Sequence, residues 1–562
     1  MPYSNRLVPA LYAALREGYT ADHLKRDAIA GLTVAIVAVP LSMAIAIASG
    51  GTPAMGLYTA IVGGFFISAL GGSRYQIGGP AGAFIVLVAA TVAEHGVGGM
   101  VLATMLAGLM MAALGILRLG SYIKFIPYPV TVGFTAGIGT IIFASQLKDL
   151  LGLTLSGPEP GPILEKLPVI WQALPTANPV TIALAAGTVA LILGVKRFAP
   201  RLPNLLLAVA ATTLAANLLA LDTPTIRSTF GAVPSMLPAP SLPPLDWALV
   251  LAVLPNAVGF ALLGSIEALL SAVVADGMSG RRHNSNMELL AQGIANLFSA
   301  LMGGMVATGT IARTATNVRS NAHSPVAGML HAVFILVFMM LAAPLVGMVP
   351  LAALAGVLAT VAWNMIERHA IATLFRASRE DAAVLMVTLL LTVFRDLTEA
   401  IVVGFALGSV LFIHRMSKAA GVSMVPAEEE EVAAPSGVGR GDEILVYRIR
   451  GAFFFGAAAS VGAVLERIAD THRALVVDFA DAALVDSTAI HTIEGMVATA
   501  RRKGVAVILT GASPALRAQF EAHGLHAPEV EIEGTVPQGV ARARALLGRP
   551  AAATAAAPAP AS

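Results

Sequence analysis

Apolar runs of helical length alternate with short polar breaks over most of the chain. From about residue 28 to residue 414, these breaks are rich in glycine, proline and charged residues. A helix that crosses a bilayer needs about 20 predominantly apolar residues. We count roughly twelve to fourteen spans, because short ones blur in hydropathy windows. The pattern predicts a polytopic α-helical membrane domain over residues 28–418.

The pattern changes after residue 418. Residues 419–440 combine a run of glutamates with proline and glycine, and we expect a linker there. Beyond it, ILVYRIRGAFFFG, ALVVDFADAALVDS and VAVILTG predict strands, whereas TAIHTIEGMVATARRKG and SPALRAQFEAHG predict helices, the first of them capped by Ser487. This alternation predicts a small cytoplasmic α/β domain over residues 441–549. Residues 550–562 are rich in alanine and proline, which predicts a disordered tail.

Composition supports a membrane protein and argues against several other classes. The chain is 57% hydrophobic and 12% charged, with a mean hydropathy of +0.79, whereas soluble domains are about 25% charged. The sequence has no cysteine, which excludes disulfides and thiolate chemistry. It contains no recognisable phosphate loop, metal-ligand cluster or nucleophile–base pair. We therefore predict no enzyme activity, no cofactor, no metal site and no nucleic-acid partner.

The distribution of lysine and arginine predicts the orientation in the membrane. Basic residues cluster at every second boundary between spans, whereas the long segment 222–246 holds only Arg227. By the positive-inside rule, the basic loops and both chain termini are predicted to be cytoplasmic. Residues 1–27 are amphipathic and lack the pattern of a cleavable signal peptide, so we expect a helix on the cytoplasmic membrane surface.

Two apolar segments are interrupted at corresponding places in the two halves of the membrane region. In GGPAGAF, residues 78–84, Pro80 suits the first turn of a helix, so a short helix is expected to start near Ala81. A second short helix is expected to start near Gly309, in GGMVATGTIARTATN. Paired interruptions are typical of a transporter's binding site, since unpaired amides and helix dipoles attract anions. Simple kinks between packed helices are the alternative.

Two charged residues accompany these breaks. Arg313 lies one turn into the second short helix, and Glu267 stands in the middle of the apolar segment 262–277, on one helical face with Gly264 and Ser271. A carboxylate inside a membrane is unfavourable unless it is paired, protonated or faces a cavity. We expect Glu267 to line an anion cavity and to bind a proton, because burial favours the protonated form. A protonated structural glutamate bonded to a neighbouring helix is the alternative, and contact between the two charges stays open.

The chain resembles the SulP family of anion transporters (solute carrier family 26) over about residues 19–548. The segment PAMGLYTAIVGGFFISALGGSR, residues 53–74, resembles the sulfate-transporter signature of the family, and GGPAGAF resembles the start of its third span. The segment from Gly264 to Leu297 resembles the eighth span, the next loop and the ninth span. Residues 477–495 resemble the most typical part of a STAS domain.

This resemblance implies a fold, an assembly and a site. The fold would be fourteen segments in two inverted repeats of seven, with core and gate domains, elevator-type alternating access, and a homodimer with contacts between STAS domains. The anion site would lie between the third and tenth segments. Its residues would be the backbone at Ala81, Gly82, Ala83, Thr310, Ile311 and Ala312, the side chains of Glu267, Ser271 and Arg313, and an apolar lining from Leu41 and Ile45.

The resemblance also narrows the substrate. Residues 262–280 and 306–320 are most similar to the bacterial aerobic C4-dicarboxylate transporters, which implies proton-coupled symport of succinate or fumarate at a bacterial inner membrane. Ile311 stands where sodium-coupled bicarbonate transporters of the family have a threonine sodium ligand, and it offers no side-chain oxygen. This difference favours protons over sodium. The alternatives are transport or exchange of sulfate or bicarbonate, an anion channel, and a membrane-anchored regulatory scaffold that acts through its STAS domain.

Overall fold

The computed structural model describes residues 7–123, 127–157, 159–160, 162–200, 202–395, 397–419, 421–425, 443–454 and 473–548. The chain divides into two compact units, residues 1–408 and 409–562. Residues 426–440 of the predicted linker and the predicted tail, residues 550–562, lie outside the described residues.

The first unit is built almost wholly of helices. Its first half comprises α1 Ala10–Arg16, α2 Ala21–Ala48, α3 Pro53–Tyr58, α4 Gly64–Leu70, α5 Ile85–Ile116, α6 Gly120–Ile123, α7 Tyr128–Leu151, α8 Ile163–Ala173, α9 Pro179–Phe198 and α10 Asn204–Leu218. The chain continues with α11 Ile226–Phe230, α12 Trp247–Ser279, α13 Ser285–Leu301, α14 Ile311–Arg319, α15 Val326–Gly347, α16 Leu351–Met365, α17 Arg368–Ala377, α18 Arg379–Phe394 and α19 Leu397–Ala419. Two short strands, β1 Gly78–Gly79 and β2 Thr308–Gly309, also lie in the first unit, whereas α19 continues past its end at residue 408.

The helices give the number of segments that the family resemblance implied. Within the described ranges, nine helices are long and apolar enough to cross a membrane, among them α3 and α4, which a π-helical turn at Thr59–Gly63 joins into one span. The shorter helices α10, α13, α14 and α18 lie between them. Gly96, at φ 69°, divides α5 into two segments. Counted in this way, the described residues contain fourteen apolar helical segments, and the polytopic helical fold is confirmed.

The first spanning helix begins earlier than the sequence predicted. The Thr20 hydroxyl accepts a hydrogen bond from the His23 amide, and the His23 ring accepts one from the Thr20 amide. This reciprocal cap starts a helix, because it satisfies amides that have no partner within it. Residues 21–27 therefore belong to α2. We expected residues 1–27 to form a helix on the membrane surface, and within the described part of that segment only α1 is separate from α2.

Helix contacts sort the spans into two groups. In the first group, α5 packs against α12 and α13, and α2 packs against α15. In the second group, α7 packs against α16, α18 and α9. Glycines permit these close approaches: a Cβ at Gly108 would lie 2.8 Å from the Gly293 carbonyl oxygen, and one at Gly133 would lie 2.5 Å from the Leu385 carbonyl oxygen. Small residues at helix interfaces are the usual means of tight packing in membranes.

The second unit contains a mixed sheet flanked by helices. Its strands are β3 Gly421–Val425, β4 Ile444–Phe453, β5 Ala474–Asp478, β6 Ala482–Val485, β7 Ala506–Thr510 and β8 Glu531–Glu533, and its helices are α20 Ser487–Arg502, α21 Pro514–Ala522 and α22 Val536–Leu546. The strand order is β3-β4-β5-β7-β8, with β6 also paired to β4. All five residues of β5 are buried, as expected for a central parallel strand covered on both faces.

Two details of this unit differ from the sequence expectations. β3 lies within residues 419–440, which we predicted to be a linker, and it pairs antiparallel with β4. β3 is therefore part of the second unit. Asp486, and not Ser487, caps α20: its carboxylate accepts a hydrogen bond from the Ala489 amide at 2.7 Å. An aspartate satisfies the orphan amides of a helix start at least as well as a serine.

Candidate anion-binding site

The two interrupted segments meet at a short antiparallel crossing. Gly78 pairs with Gly309 and Gly79 pairs with Thr308, and all four residues are buried. Each strand leads directly into a helix start, at a 3₁₀ turn Gly82–Phe84 before α5 and at Ile311 for α14. The first helix starts where the sequence predicted, and the second starts two residues later than Gly309. Two helix N-termini therefore flank one crossing inside the apolar unit.

Arg313 is held against this crossing by the backbone of the first interrupted segment. Its Nη1 donates to the Gly78 carbonyl oxygen at 3.2 Å, and its Nη2 donates to the Pro80 carbonyl oxygen at 3.3 Å and to the Ser42 hydroxyl at 3.0 Å. The residue is only 3% exposed, and no described residue bonds its buried Nε. One side chain of α14 thus links β1, the start of α5 and α2.

Gly79 is required for this arrangement. Its φ of 154° is a conformation that other residues rarely adopt, and a Cβ there would collide with Arg313 Nη1. A residue without a side chain is therefore needed where the guanidinium approaches the backbone.

Glu267 and Ser271 lie on the face of α12 that packs against β2 and α14. The Thr308 hydroxyl donates to the Gly264 carbonyl oxygen at 3.0 Å, and the buried Ser271 hydroxyl bonds the Thr314 hydroxyl at 3.0 Å. Glu267 has no hydrogen bond or ion pair with any described residue, and its Oε2 is buried. It lies on α12 between Gly264 and Ser271, whose bonds to Thr308 and Thr314 place it beside the segment that carries Arg313.

Four buried polar atoms near the start of α14 have no hydrogen-bond partner among the described residues: Glu267 Oε2, Thr310 Oγ1, Arg313 Nε and Gln76 Oε1. Buried polar atoms are nearly always hydrogen-bonded in folded proteins. Arg313 Nε can only donate, the Gln76 oxygen can only accept, and the other two can do either depending on protonation and rotation. The cluster can therefore bind a polar ligand and can exchange a proton at Glu267.

The remaining predicted residues surround the crossing. Ala81, Ala83 and Ile45 are buried in one apolar cluster, against which the half-buried Leu41 packs. Gly82 faces the second helix group, since a Cβ there would lie 3.7 Å from Met365 Sδ.

One side of the crossing is open. Ile311 is 42% exposed and Ala312 is exposed, so the free face of α14 borders open space. At the start of α5, by contrast, Ile85, Leu87 and Val88 are buried. The two helix starts at the crossing therefore differ in exposure.

Sequence reasoning missed two polar residues of this region. Ser42 accepts a hydrogen bond from Arg313, and Gln76 donates to the Ala268 carbonyl oxygen at 3.1 Å while packing against Gly309. Each is a polar residue in or beside an apolar run, which is the signal that could have identified it.

Comparison with known proteins identifies the family. Residues 24–388 match the sulfate permease family and residues 438–538 match the STAS domain. The chain belongs to the sulfate permease family. It is therefore a multi-pass membrane protein for anion transport with a C-terminal STAS domain, and not an enzyme.

Individual relatives are similar over nearly their whole length. YvdB of Bacillus subtilis, which is named for sulfate transport, is 37% identical over 88% of this chain and 93% of its own. The bicarbonate transporter BicA of a Picosynechococcus strain is 31% identical over 89% of this chain and 90% of its own. The structure of the murine solute carrier 26 family member A9 anion transporter in the inward-facing state has a TM-score of 0.83 and 18% identity, and covers 96% of this chain and 94% of its own. At that identity the likeness concerns the fold alone.

Proposed function

We propose that the protein is a secondary active transporter that carries a dianion together with a proton. The anion binds between the starts of α5 and α14, beside Arg313, and the proton binds Glu267. The observation that supports this most directly is the buried, unpartnered Glu267 Oε2, which lies within electrostatic reach of a guanidinium held by backbone carbonyls.

The charges of the site favour a dianion over a monoanion when a proton is carried. Arg313 contributes one positive charge, and each helix start contributes about half a charge. A dianion with a protonated Glu267 leaves the loaded site near neutrality, which lowers the free energy of moving it through an apolar barrier. A monoanion gives the same balance only when Glu267 is ionised. Dianion transport is therefore expected to need a proton, and monoanion transport is not.

The proton is favoured over a metal cation as the coupling ion. Hard cations take several oxygen ligands, and Ile311, which borders the open space, supplies no side-chain oxygen. Glu267 can instead bind a single proton without further ligands.

The substrate that we propose first is a C4-dicarboxylate such as succinate or fumarate. This choice rests on the resemblance of residues 262–280 and 306–320 to the C4-dicarboxylate transporters of the family. The relatives described above are named for sulfate and bicarbonate transport, and sulfate is the second candidate. Succinate, fumarate and sulfate are dianions at neutral pH and satisfy the charge argument, whereas bicarbonate is a monoanion.

Purified protein in liposomes tests this proposal. An inward proton gradient should accelerate uptake of labelled succinate, fumarate or sulfate but not of bicarbonate. Glu267→Gln should weaken the response to the gradient while anion binding, followed by thermal shift, persists. Glu94→Gln is the matched control. Glu94 lies far from the crossing, at the end of the first segment of α5, and its side chain is 65% exposed. A Glu267→Gln protein that still responds fully to the gradient rules out the assigned role.

Alternating access is the transport mode that we propose. The open face of α14 and the covered start of α5 support a state that is accessible from one side only. An elevator-type displacement of the group around α2, α5 and α12 to α15 against the group around α7, α9, α16 and α18 would exchange that access. Currents far above carrier turnover rates would instead identify an anion channel.

Assembly as a homodimer with contacts between STAS domains, and cytoplasmic chain termini, stay predictions. Light scattering of the detergent-solubilised protein measures the first. Protease accessibility in sealed vesicles measures the second.

A further inference from the structure

A buried histidine beside the crossing has no role in the mechanism proposed above. His331, on α15, is 0% exposed, and neither Nδ1 nor Nε2 has a hydrogen-bond partner in the part of the chain that the structure describes. A neutral imidazole carries one donor and one acceptor, and a charged one carries two donors. Leaving these groups unmatched in an apolar interior is unfavourable, and a titratable residue inside a membrane usually serves function.

Three close approaches locate the imidazole. A Cβ built on Gly64 would lie 2.9 Å from the Gly78 carbonyl oxygen and 3.9 Å from His331 Cε1, so ring and carbonyl border the same glycine. A Cβ on Gly31 would lie 3.1 Å from the His331 amide. The Gly78 carbonyl is also the acceptor for Arg313 Nη1. The His331 ring and the Gly78 carbonyl that binds Arg313 therefore both border Gly64.

Two titratable residues flank Arg313, the half-buried Glu267 and the buried His331. The first lies on the β2 side of the crossing, and the second lies on α15, which packs against α2 and α4. The other charged groups that face α15 lie toward its ends. Asp27 is bonded to the His323 and Ser324 amides before the helix begins, and Arg227 of α11 contacts Gly347 at its end.

We propose that His331 is a second proton-binding residue of the transport site, which takes up a proton when a dianion binds beside Arg313. In the empty site, the positive charge of Arg313 opposes a second positive charge nearby. A bound dianion offsets that repulsion, so anion binding and His331 protonation favour each other. Such coupling is reciprocal by thermodynamic necessity. The inference rests on the proposed anion position, but not on the proton-binding role of Glu267.

Titration calorimetry with the purified full-length protein tests it. Succinate and sulfate serve as probes near pH 7, in buffers that differ in ionisation enthalpy, because the slope of observed heat against that enthalpy gives the protons taken up per anion. We expect wild type to take up more protons than Glu267→Gln, which should retain measurable uptake. His331→Gln should reduce uptake, and the double variant should lose it. His95→Gln, whose ring lies outside the site, should match wild type.

Several outcomes would overturn the proposal. One is complete loss of proton uptake in Glu267→Gln. Because His331 is intact in that variant, the result tests the proposal even if His331→Gln does not fold. Another is wild-type uptake in a folded His331→Gln or His331→Asn protein. Absence of binding by every anion would overturn this inference together with the proposed function, whereas proton uptake that depends on Glu267 alone would overturn this inference only.

Discussion

Glu267 and Arg313 flank the same crossing, yet no ion pair joins them within the described residues. The guanidinium is instead fixed by the carbonyl oxygens of Gly78 and Pro80 and by the Ser42 hydroxyl. Because the backbone holds Arg313, Glu267 can gain or lose a proton without releasing the cation from its place. A direct ion pair would have made each protonation break the anion site.

The first prediction concerns the geometry of the guanidinium. Lysine keeps the charge of Arg313, but its single ammonium group cannot reproduce the planar fork that reaches two carbonyls and a hydroxyl. Arg313→Lys should therefore weaken anion binding at least ~10-fold, or by about 1.4 kcal/mol, measured as the concentration dependence of anion-induced thermal stabilisation. Arg319→Lys, at the exposed end of the same helix, is the control and should bind normally. Equal affinity in the two variants would show that charge alone suffices.

The second prediction concerns the backbone beneath Arg313. Gly79→Ala introduces a Cβ at φ 154° and against Nη1, so the guanidinium or the β1 strand must shift. Since misplacement of a site by about 1 Å can reduce activity ~100-fold, we expect loss of labelled-anion uptake from a protein that still purifies as folded. Gly194→Ala, in α9, is the control, because no atom lies within 4 Å of the added methyl group. Normal uptake by Gly79→Ala would contradict the close approach.

The breaks of the chain were predictable because their signals are local. Gly78, Gly79 and Pro80 cannot continue a helix, and they mark the start of α5 within a few residues. Glu267 and Arg313 were predictable because charge is rare inside a membrane. These features need no knowledge of which helices touch.

Ser42, Gln76 and His331 were missed because their roles depend on contacts distant in sequence. Ser42 and Arg313 are 271 positions apart, and nothing along the chain relates them. β3 was missed because five residues at the edge of a charged segment acquire strand structure only by pairing with β4.

The third prediction concerns a buried carboxylate outside the anion site. Glu288 Oε2 accepts hydrogen bonds from the Gly72 and Ser73 amides at 2.9 and 3.0 Å, and Oε1 accepts one from Gln292 at 3.0 Å. It thereby ties α13 to the turn that precedes β1. Glu288→Ala should lower the free energy of unfolding by about 3 kcal/mol or more, since hydrogen bonds to charged groups are worth about 1.5–3 kcal/mol each. Thermal unfolding measures this, and Glu288→Gln, which keeps one acceptor oxygen, should lose less. Identical melting of wild type and the alanine variant would exclude the anchoring role.

The last prediction concerns the segment before the first spanning helix, residues 7–20, which we call the N-terminal strap. The Ala10 amide donates to the Gly71 carbonyl oxygen at 2.8 Å, and Glu17 pairs with Arg74 and with Arg281, the latter at 3.3 Å. Directly after the strap, the ring of His23 stacks on that of His323 with centroids 3.6 Å apart.

Two pKa shifts determine how the strap responds to acid. Burial, together with the neighbouring His23, lowers the pKa of His323 below its ordinary value of 6.5. A hydrogen bond from Arg74 lowers the pKa of Glu17 below its ordinary value of 4.5. In both cases the group binds a proton more readily when the strap is undocked than when it is docked. The group therefore stabilises docking fully at pH values above its ordinary pKa. This stabilisation is lost as the pH falls toward the lowered pKa of the docked state. The histidine acts first, below pH 6.5, and the glutamate adds its effect below pH 4.5.

Hydrogen exchange should therefore show that protection of the strap amides decreases as pH falls from about 7.5 to about 5.5, after correction for the intrinsic exchange rate. His323→Phe keeps an aromatic ring for the stack but cannot be charged, so its strap should stay protected over the same range. Glu17→Gln should weaken protection at every pH above 4.5, because it removes the charge that binds Arg74 and Arg281. If the strap of His323→Phe loses protection in parallel with that of wild type, a titratable group other than His323 controls the release of the strap in acid.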